Sequence, residues 1–246
     1  MKEIAKKTFW ISYDHLGGLI LLNLVWSALS LPWILIGYGL VVQGAKLPGW
    51  GLFMATFLAL ELVFLSPPTL LLFAAGTRWA RGEAVHFKTL FKEMRKFAVR
   101  GQLLGLILFF MSLQLLLNVY FYRQFGGWTG LILGSTMVWF LIAALLMSPY
   151  LFPLLILQDG GVWHTLRHSF LLMIDNVKLS IVLFLTILFV VFVGAVSVVG
   201  LFCGVLGVLT LLLCICFREL LPKYTGEPLA EEPARKWREL IRPWEV

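Results

Sequence analysis

Long apolar stretches alternate with short polar segments along almost the whole chain. Six of these stretches are long enough for an α-helix to cross the hydrocarbon core of a bilayer, which takes about 20 residues. They lie at about 16–42, 50–75, 103–122, 127–158, 179–199 and 200–217. The stretches are continuously apolar rather than alternating, which excludes β-barrel strands. The pattern therefore predicts an all-α helical integral membrane protein whose six transmembrane helices form one domain over residues 1–224.

The last two stretches belong to one uninterrupted apolar run, Val177–Phe217. This run is too long for a single crossing at the helical rise of about 1.5 Å per residue. Gly200, Gly204 and Gly207 fall near its middle. We therefore predict two spans joined by a tight hairpin.

Two further segments have helical periodicity without the length of a span. In residues 84–100, apolar side chains recur at i, i+3, i+4 and i+7, and basic side chains occupy the other faces. The pattern predicts an amphipathic helix at the cytoplasmic interface, in contact with anionic lipid head groups and compatible with docking on the bundle. The lipid-contact candidates are Lys88, Lys92, Arg95, Lys96 and Arg100. After a break at residues 159–161, residues 162–177 predict a second, less basic amphipathic helix.

The segments around these two helices resemble each other. The sequence Leu65–Pro68 precedes the first helix, and the similar Met147–Tyr150 precedes the second. Because both would enter the membrane in the same direction, we predict a possible parallel internal repeat of residues 65–110 and 147–189. Residues 225–246 form a cytoplasmic tail in which a short tryptophan-bearing helix is expected, either on the membrane surface or against a partner.

Positive charge is concentrated in the segments that would face one side of the membrane. Charged residues are 13% of the chain, against about 25% in soluble domains. All Lys and Arg residues except Lys46 and Arg123 fall in residues 1–15, 76–102, 158–178 and 218–246. Retained positive charge marks the cytoplasmic face, so both termini are predicted there. The net charge of +7 thus indicates topology, and no nucleic-acid-binding motif accompanies it. The first span is expected to remain uncleaved, because its apolar run is too long for a signal peptide.

Glu61 is the only acidic residue inside a predicted span. A charge at the bilayer centre costs at least about 2.5–3.5 kcal/mol, so this carboxyl needs polar neighbours, a proton or water. Partners of suitable chemistry are Asn23, Ser27, Ser66, Gln114 and Asn118. Glu61 would couple a proton or cation, or contact a polar substrate. Alternatively, it would be a neutral acid that bridges two helices, as Asn and Gln in spans commonly do.

Prolines interrupt several spans, at Pro32, Pro67, Pro68, Pro149 and Pro153. A proline frees a backbone carbonyl one turn earlier, and such carbonyls can bind substrates or ions where they line a cavity. The pairs Ser66–Pro67 and Ser148–Pro149 are therefore binding candidates. The alternative is that each proline only bends its helix to fit its neighbours.

The chain lacks recognisable catalytic or metal-binding motifs. Cys203, Cys214 and Cys216 are interpreted as small apolar side chains, because metal coordination would need more ligands at workable spacing. His164 and His168 lie four residues apart without a third ligand. We therefore expect no metal and no cofactor, and an enzyme is disfavoured.

Several segments resemble the YesL-like proteins, a family of bacterial polytopic membrane proteins of uncharacterised function. Phe9–Trp10, Leu22–Trp26 and Leu31–Pro32 resemble the first span of that family. The Ser66–Pro68 break with the basic helix, and Pro149–Leu154 with the following segment, resemble its later units. The resemblance implies a bacterial cell membrane location and an association with carbohydrate uptake. It carries over no catalytic residues, and Glu61 matches no family pattern.

Two functions follow from these observations. The first is a non-enzymatic accessory or partner-binding protein, with a possible membrane protein partner in a sugar-uptake system. The alternative is a small solute transporter or channel subunit that uses the proline-broken helices and Glu61. An intramembrane enzyme has the weakest support, because the spans contain neither Asp nor His.

Overall fold

The computed structural model describes residues 2–44, 67–196 and 204–226 of this 246-residue chain. Throughout these ranges the regular secondary structure is α-helical. The helices are α1 (Lys2–Asp14), α2 (Leu16–Gly44), α3 (residues 67–80), α4 (Phe87–Gln124), α5 (Gly127–Gln158), α6 (Val162–Asp175), α7 (Val177–Val196) and α8 (Val205–Thr225). The predicted all-α class is confirmed for the described part of the chain.

Five helices in the described ranges are long and apolar enough to cross a membrane. They include Leu16–Ile36, Phe87–Gln124, Gly127–Gln158, Val177–Gly194 and Val205–Tyr224. These segments overlap five of the six predicted spans, and the chain is a multi-pass membrane protein. Of the remaining predicted span, 50–75, residues 50–66 lie outside the described part. Its last residues form the first half of α3, which is almost entirely buried.

Helix α4 joins two segments that the sequence pattern separated. The basic segment 84–100 and the span 103–122 were predicted as distinct elements, but one helix of 38 residues, which begins at Phe87, runs from the first into the second. Such a helix is about 57 Å long, whereas the hydrocarbon core is about 30 Å thick. The basic segment is therefore the first third of a long helix.

The two predicted repeat units differ in their helices. In the first unit the amphipathic segment and the following span are one helix, whereas in the second unit α6 and α7 are separated by a turn at Asn176.

Helix α1 was not predicted. Ile4, Thr8 and Ile11 lie on one face of it, and the two isoleucines pack against the core. Lys7 Nζ lies 2.5 Å from Glu219 Oε1, which joins α1 to α8. The i, i+4, i+7 spacing of these three residues indicates a helix, but the charged residues around them made the pattern difficult to recognise in the sequence.

The predicted separation of the last apolar run into two helices is confirmed, with α7 described to Val196 and α8 from Val205. The predicted hairpin between them, including Gly200, lies outside the described residues. Gly204 caps α8 with φ 98°, a left-handed conformation that glycine adopts without steric cost. Gly207 lies inside α8, where an added Cβ would be 2.9 Å from Leu19 Cδ2. Helices α2 and α8 therefore pack very closely at this point.

Helix α3 lies between two clusters of buried side chains. Leu71 and Phe73 belong to a cluster shared with α2, α5 and α8. Leu70 belongs to a second cluster that it shares with α4 and α5. An added Cβ at Gly101 of α4 would be 2.7 Å from Leu70 Cδ1, so α3 and α4 are in close contact.

Candidate functional site

A cavity of about 250 Å³ lies where helices from all parts of the chain converge. Its walls come from α2, α3, α4, α5, α7 and α8. Representative lining residues are Trp26, Thr69, Leu104, Ser148, Ile187 and Leu213. Most of the lining side chains are aliphatic or aromatic, so the cavity offers an occupant mainly apolar surface.

The polar side chains around this cavity already have hydrogen-bond partners. Trp26 Nε1 donates to Thr69 Oγ1 at 3.1 Å. Ser148 Oγ donates to the Leu145 carbonyl oxygen at 2.8 Å, and Thr210 Oγ1 donates to the Gly207 carbonyl oxygen at 2.9 Å. The hydroxyl hydrogens of Ser148 and Thr210 are thus used within the bundle, and the Thr69 oxygen accepts from Trp26.

The Ser148 contact explains how α5 continues through Pro149. Proline has no N–H, so the carbonyl of Leu145, four residues earlier, loses its usual helical donor. Ser148 Oγ supplies a replacement donor to that same oxygen. The structure thus favours a locally repaired helix at this candidate over an open ligand-binding carbonyl. Pro67 is partly buried in α3, and Ser66 lies outside the described residues.

The polar candidates Asn23, Gln114 and Asn118 occupy two different environments. Asn23 is fully buried on α2. Gln114 is exposed on α4, where its Nε2 donates to Asn118 Oδ1 at 3.4 Å. Asn118 Nδ2 in turn points to Met137 Sδ of α5 at 3.8 Å. Glu61, the predicted centre of this group, lies outside the described residues.

Asn23 belongs to a buried polar face that sequence analysis identified only in part. Asn23, Ser27 and Ser30 follow i, i+4, i+7 spacing on α2, and their exposed fractions are 0%, 1% and 0%. The hydroxyls of Ser27 and Ser30 have no hydrogen-bond partner within the described ranges. Buried hydroxyls are normally paired, so this face is a polar feature of the interior.

Ion pairs join the predicted cytoplasmic segments at one end of the molecule, which we call the ionic end. Lys7 of α1 pairs with Glu219 of α8, and Arg78 of α3 pairs with Glu93 of α4 at 2.5 Å. Arg218 donates to the carbonyl of Ala80, which connects these two groups. Further pairs at this end are Lys96–Asp159, Arg100–Asp159 and Lys223–Asp175, at 2.5, 2.9 and 2.6 Å.

The five lipid-contact candidates divide into two groups. Lys96 and Arg100 bind Asp159, which follows α5. The other three candidates are exposed and form no ion pair within the described part of the chain. They are Lys88, Lys92 and Arg95. On the same helix, Leu90 and Phe97 are buried, so this segment docks on the bundle with part of its apolar face.

Asp159 is held as a carboxylate. The hydrogen bond from Lys96 is the main cause that lowers the pKa of Asp159, with Arg100 adding to it. Asp159 has φ 48°, and Gly160 and Gly161 follow it before α6. The predicted chain break at these three residues is confirmed, and it places the carboxylate against α4.

The histidines of α6 stack on each other at the edge of a second cavity. The ring centroids of His164 and His168 are 4.0 Å apart. Burial lowers the pKa of His168, and the positive charges of His164 and Arg167 add to this effect. His168 and Asp175 line a cavity of about 680 Å³ between α5, α6 and α8.

No group of three His, Cys, Asp or Glu side chains suited to a metal occurs among the described residues. Cys214 and Cys216 are free and buried, whereas Cys203 lies outside the described part.

No protein-family model matches this chain, and neither a curated protein nor a solved structure matches it. The resemblance to the YesL-like proteins therefore stays a prediction that rests on the residues quoted for it.

Proposed function

We propose that this chain is a six-span protein of the bacterial cell membrane that acts as a non-enzymatic, partner-binding accessory component. Both termini would lie in the cytoplasm. The connection to carbohydrate uptake rests on the YesL-like resemblance alone.

The contacts at the ionic end support an even number of crossings. The ring of His15, just before α2, stacks on Trp79 of α3 with centroids 5.3 Å apart. The chain therefore leaves this end along α2 and is back at it by Trp79, which supports a second crossing between them. The predicted span 50–75 would supply it. The Lys96–Asp159 and Lys223–Asp175 pairs likewise support a return through α4 and α5 and through α7 and α8.

The placement of charge supports a cytoplasmic location for this end. The basic segments that meet here are those that the positive-inside rule retains in the cytoplasm. Helix α6 is tethered at both of its ends, through Asp159 on one side and Asp175 on the other. We infer that α6 is an interfacial helix along the membrane surface. Lys88, Lys92 and Arg95, which have no ion pair with a described residue, would face anionic head groups.

The observation that carries the accessory function is the apolar character of the central cavity. A hydrophilic solute such as a sugar loses its hydration on entry and needs hydrogen-bonding groups in return. The hydroxyls of Thr69, Ser148 and Thr210 are already engaged inside the bundle. Partner binding would instead use the outer surface, where Trp139 and Phe192 are 70% and 67% exposed.

Native mass spectrometry of the protein in polymer nanodiscs cut from its own membrane tests this proposal. We expect a membrane protein partner to co-purify and purified chain alone to move no sugar in proteoliposomes. Trp139→Ala on α5 and Phe192→Ala on α7 alter exposed positions on two different helices, and one of them should reduce recovery of the partner. Absence of any partner together with sugar uptake by the chain alone would refute the accessory function.

The transporter alternative is favoured by one observation, the buried polar face of α2. Asn23, Ser27 and Ser30 could line a path with Glu61 if the carboxyl faces them. In this case solute movement in proteoliposomes would be lost on Glu61→Leu and retained in Gln114→Leu, because Gln114 is exposed on α4. Equal transport by both variants and the parent chain would remove Glu61 from the mechanism.

A further inference from the structure

A groove of about 470 Å³ lies on the outer side of the bundle between α4, α5 and α6. Ile107, Met111 and Leu115 form one wall at i, i+4, i+8 on α4. Phe140, Ala143 and Met147 form the other wall on α5. Both walls belong to candidate membrane spans, and Phe140 is 57% exposed, so the groove opens toward the lipid-facing surface.

The third side of the groove has a different chemistry. Trp163, Arg167 and Phe170 of α6 complete the lining, and they share one helix face at i, i+4, i+7. Arg167 is the only charged residue in the lining and forms no ion pair with any described residue. Trp163 is 79% exposed, which suits the amphipathic rings found at membrane interfaces.

The groove is therefore apolar along two spans and cationic where α6 closes it. A phospholipid has the complementary polarity, with an acyl chain on one side and an anionic phosphate on the other. The guanidinium group binds phosphate oxygens through two parallel N–H donors, which a lysine cannot reproduce. The central cavity, by contrast, has no cationic side chain in its lining.

We propose that this groove is a binding site for one anionic phospholipid, with its phosphate on Arg167 and an acyl chain between α4 and α5. Trp163 contacts the glycerol region beside the arginine. The site is independent of whether the chain is an accessory protein or a transporter, because it needs only the membrane location of α4 and α5.

Binding is measured by native mass spectrometry of delipidated protein titrated with phosphatidylglycerol or with phosphatidylcholine of the same acyl chains. We expect one tightly bound phosphatidylglycerol per chain. Arg167→Gln should weaken it at least about tenfold, the loss expected for a charge-assisted hydrogen bond. Arg81→Gln is the matched control, since Arg81 is an exposed cation outside the groove and should leave the affinity unchanged.

The acyl-chain part of the site is tested by filling the groove. Ala143→Phe should abolish binding of phosphatidylglycerol, and Ile142→Phe, at a neighbouring position outside the lining, should not. Met111→Phe narrows the groove from the α4 wall. It is the substitute test if circular dichroism shows that Ala143→Phe does not fold. Folded variants that fill the groove and still bind phosphatidylglycerol normally would overturn the proposal.

The remaining outcomes distinguish other occupants. Equal losses in Arg167→Gln and Arg81→Gln would indicate diffuse electrostatic attraction and refute a specific site. Full competition by glycerol phosphate without acyl chains would show a site for the head group alone. A dimer that Ala143→Phe dissociates would show that a second copy of the chain, and not a lipid, occupies the groove.

Discussion

At the scale of single residues, Ser148 shows how a proline is accommodated inside a membrane helix. Water is absent from the hydrocarbon core, so a carbonyl deprived of its N–H donor must find another partner within the protein. The preceding serine donates to the oxygen that Pro149 leaves free. The sequence pair Ser148–Pro149 was consistent with either a ligand site or a bend, and only the hydrogen bond distinguishes them.

We expect Ser148→Ala to lower the free energy of unfolding by roughly 0.6–1 kcal/mol, the value of one hydrogen bond in a membrane protein. Ser135→Ala is the control. Ser135 Oγ donates to the carbonyl of Leu131, which the backbone N–H of Ser135 can already satisfy in this helix. Reversible unfolding in mixed micelles measures both variants. Equal losses would contradict a special role for the hydroxyl before proline.

Asp159 predicts a pH dependence of stability. Its pKa is lowered in the fold by the hydrogen bond from Lys96, so the folded state favours the ionised carboxylate. The stabilisation is present above the ordinary Asp pKa of about 3.9 and is lost as the pH falls through the lowered value. Asp159→Asn should therefore reduce the melting temperature at pH 7, and the difference from the parent protein should vanish in strong acid.

A control for this prediction is Glu83→Gln. Glu83 carboxylate oxygens lie 3.8 Å from Arg78 and from Arg81, longer than the Asp159 contacts. The substitution should have a smaller effect at pH 7, because exposed ion pairs at that distance contribute little. A deficit for Asp159→Asn that persists unchanged at low pH would show that the carboxylate charge is not responsible.

At the scale of elements, the first third of α4 docks on the bundle with some of its apolar side chains and leaves others exposed. Leu90 is completely buried against the bundle, whereas the adjacent Phe91 is 48% exposed. Amphipathic periodicity identifies the apolar face, but lipid and protein are both apolar neighbours. The pattern therefore could not distinguish docking from membrane contact.

Leu90→Ala should destabilise the protein by about 2–5 kcal/mol, since it leaves a cavity in a packed core. Phe91→Ala removes more atoms from a half-exposed position and should cost clearly less in detergent. The free energy of unfolding of each variant decides this. A larger loss for Phe91→Ala would mean that the exposed face, and not Leu90, anchors the segment.

The α4–α5 hairpin depends on a close contact at Gly130. An added Cβ there would lie 2.6 Å from the Tyr122 carbonyl oxygen, which is backbone and cannot rotate away. Gly130→Ala should therefore cost about 1–3 kcal/mol. At Gly134 the nearest atom to an added Cβ is Tyr122 Cβ at 4.0 Å. Gly134→Ala should be neutral or stabilising by up to about 1 kcal/mol. Thermal unfolding of the two variants compares them directly, and an equal response would exclude the steric explanation.

At the scale of the whole molecule, the proposed topology places the ionic end in the cytoplasm. Single cysteines are introduced at Glu83 and Lys178 on this end and at Trp128 in the first turn of α5, after replacement of the native cysteines by alanine. A membrane-impermeant thiol reagent should label Trp128→Cys in intact cells, and the other two only after permeabilisation. Labelling of Glu83→Cys and Trp128→Cys from the same side would exclude the proposed crossing of α4.

Some properties of this protein could be predicted from sequence because they are properties of length and composition. A run of apolar residues long enough to cross a bilayer must be helical there, since unpaired backbone groups are too costly in hydrocarbon. The all-α class, five of the spans and the separation of α7 from α8 at Gly204 follow from this reasoning. The break at Asp159 was predictable in the same way, from a polar residue followed by two glycines.

Tertiary structure decided which face of each helix is buried. Apolar spans such as α2 have no polar face, so their sequence cannot show that Asn23 is buried while Gln114 of α4 is exposed. The continuity of α4, the docking of α1 and the pairing of Asp159 with α4 arise from contacts between distant segments. The groove beside Arg167 exists only because α6 packs against two spans at once. Local sequence determines that helices form in a membrane, and long-range packing determines which surfaces remain available to bind.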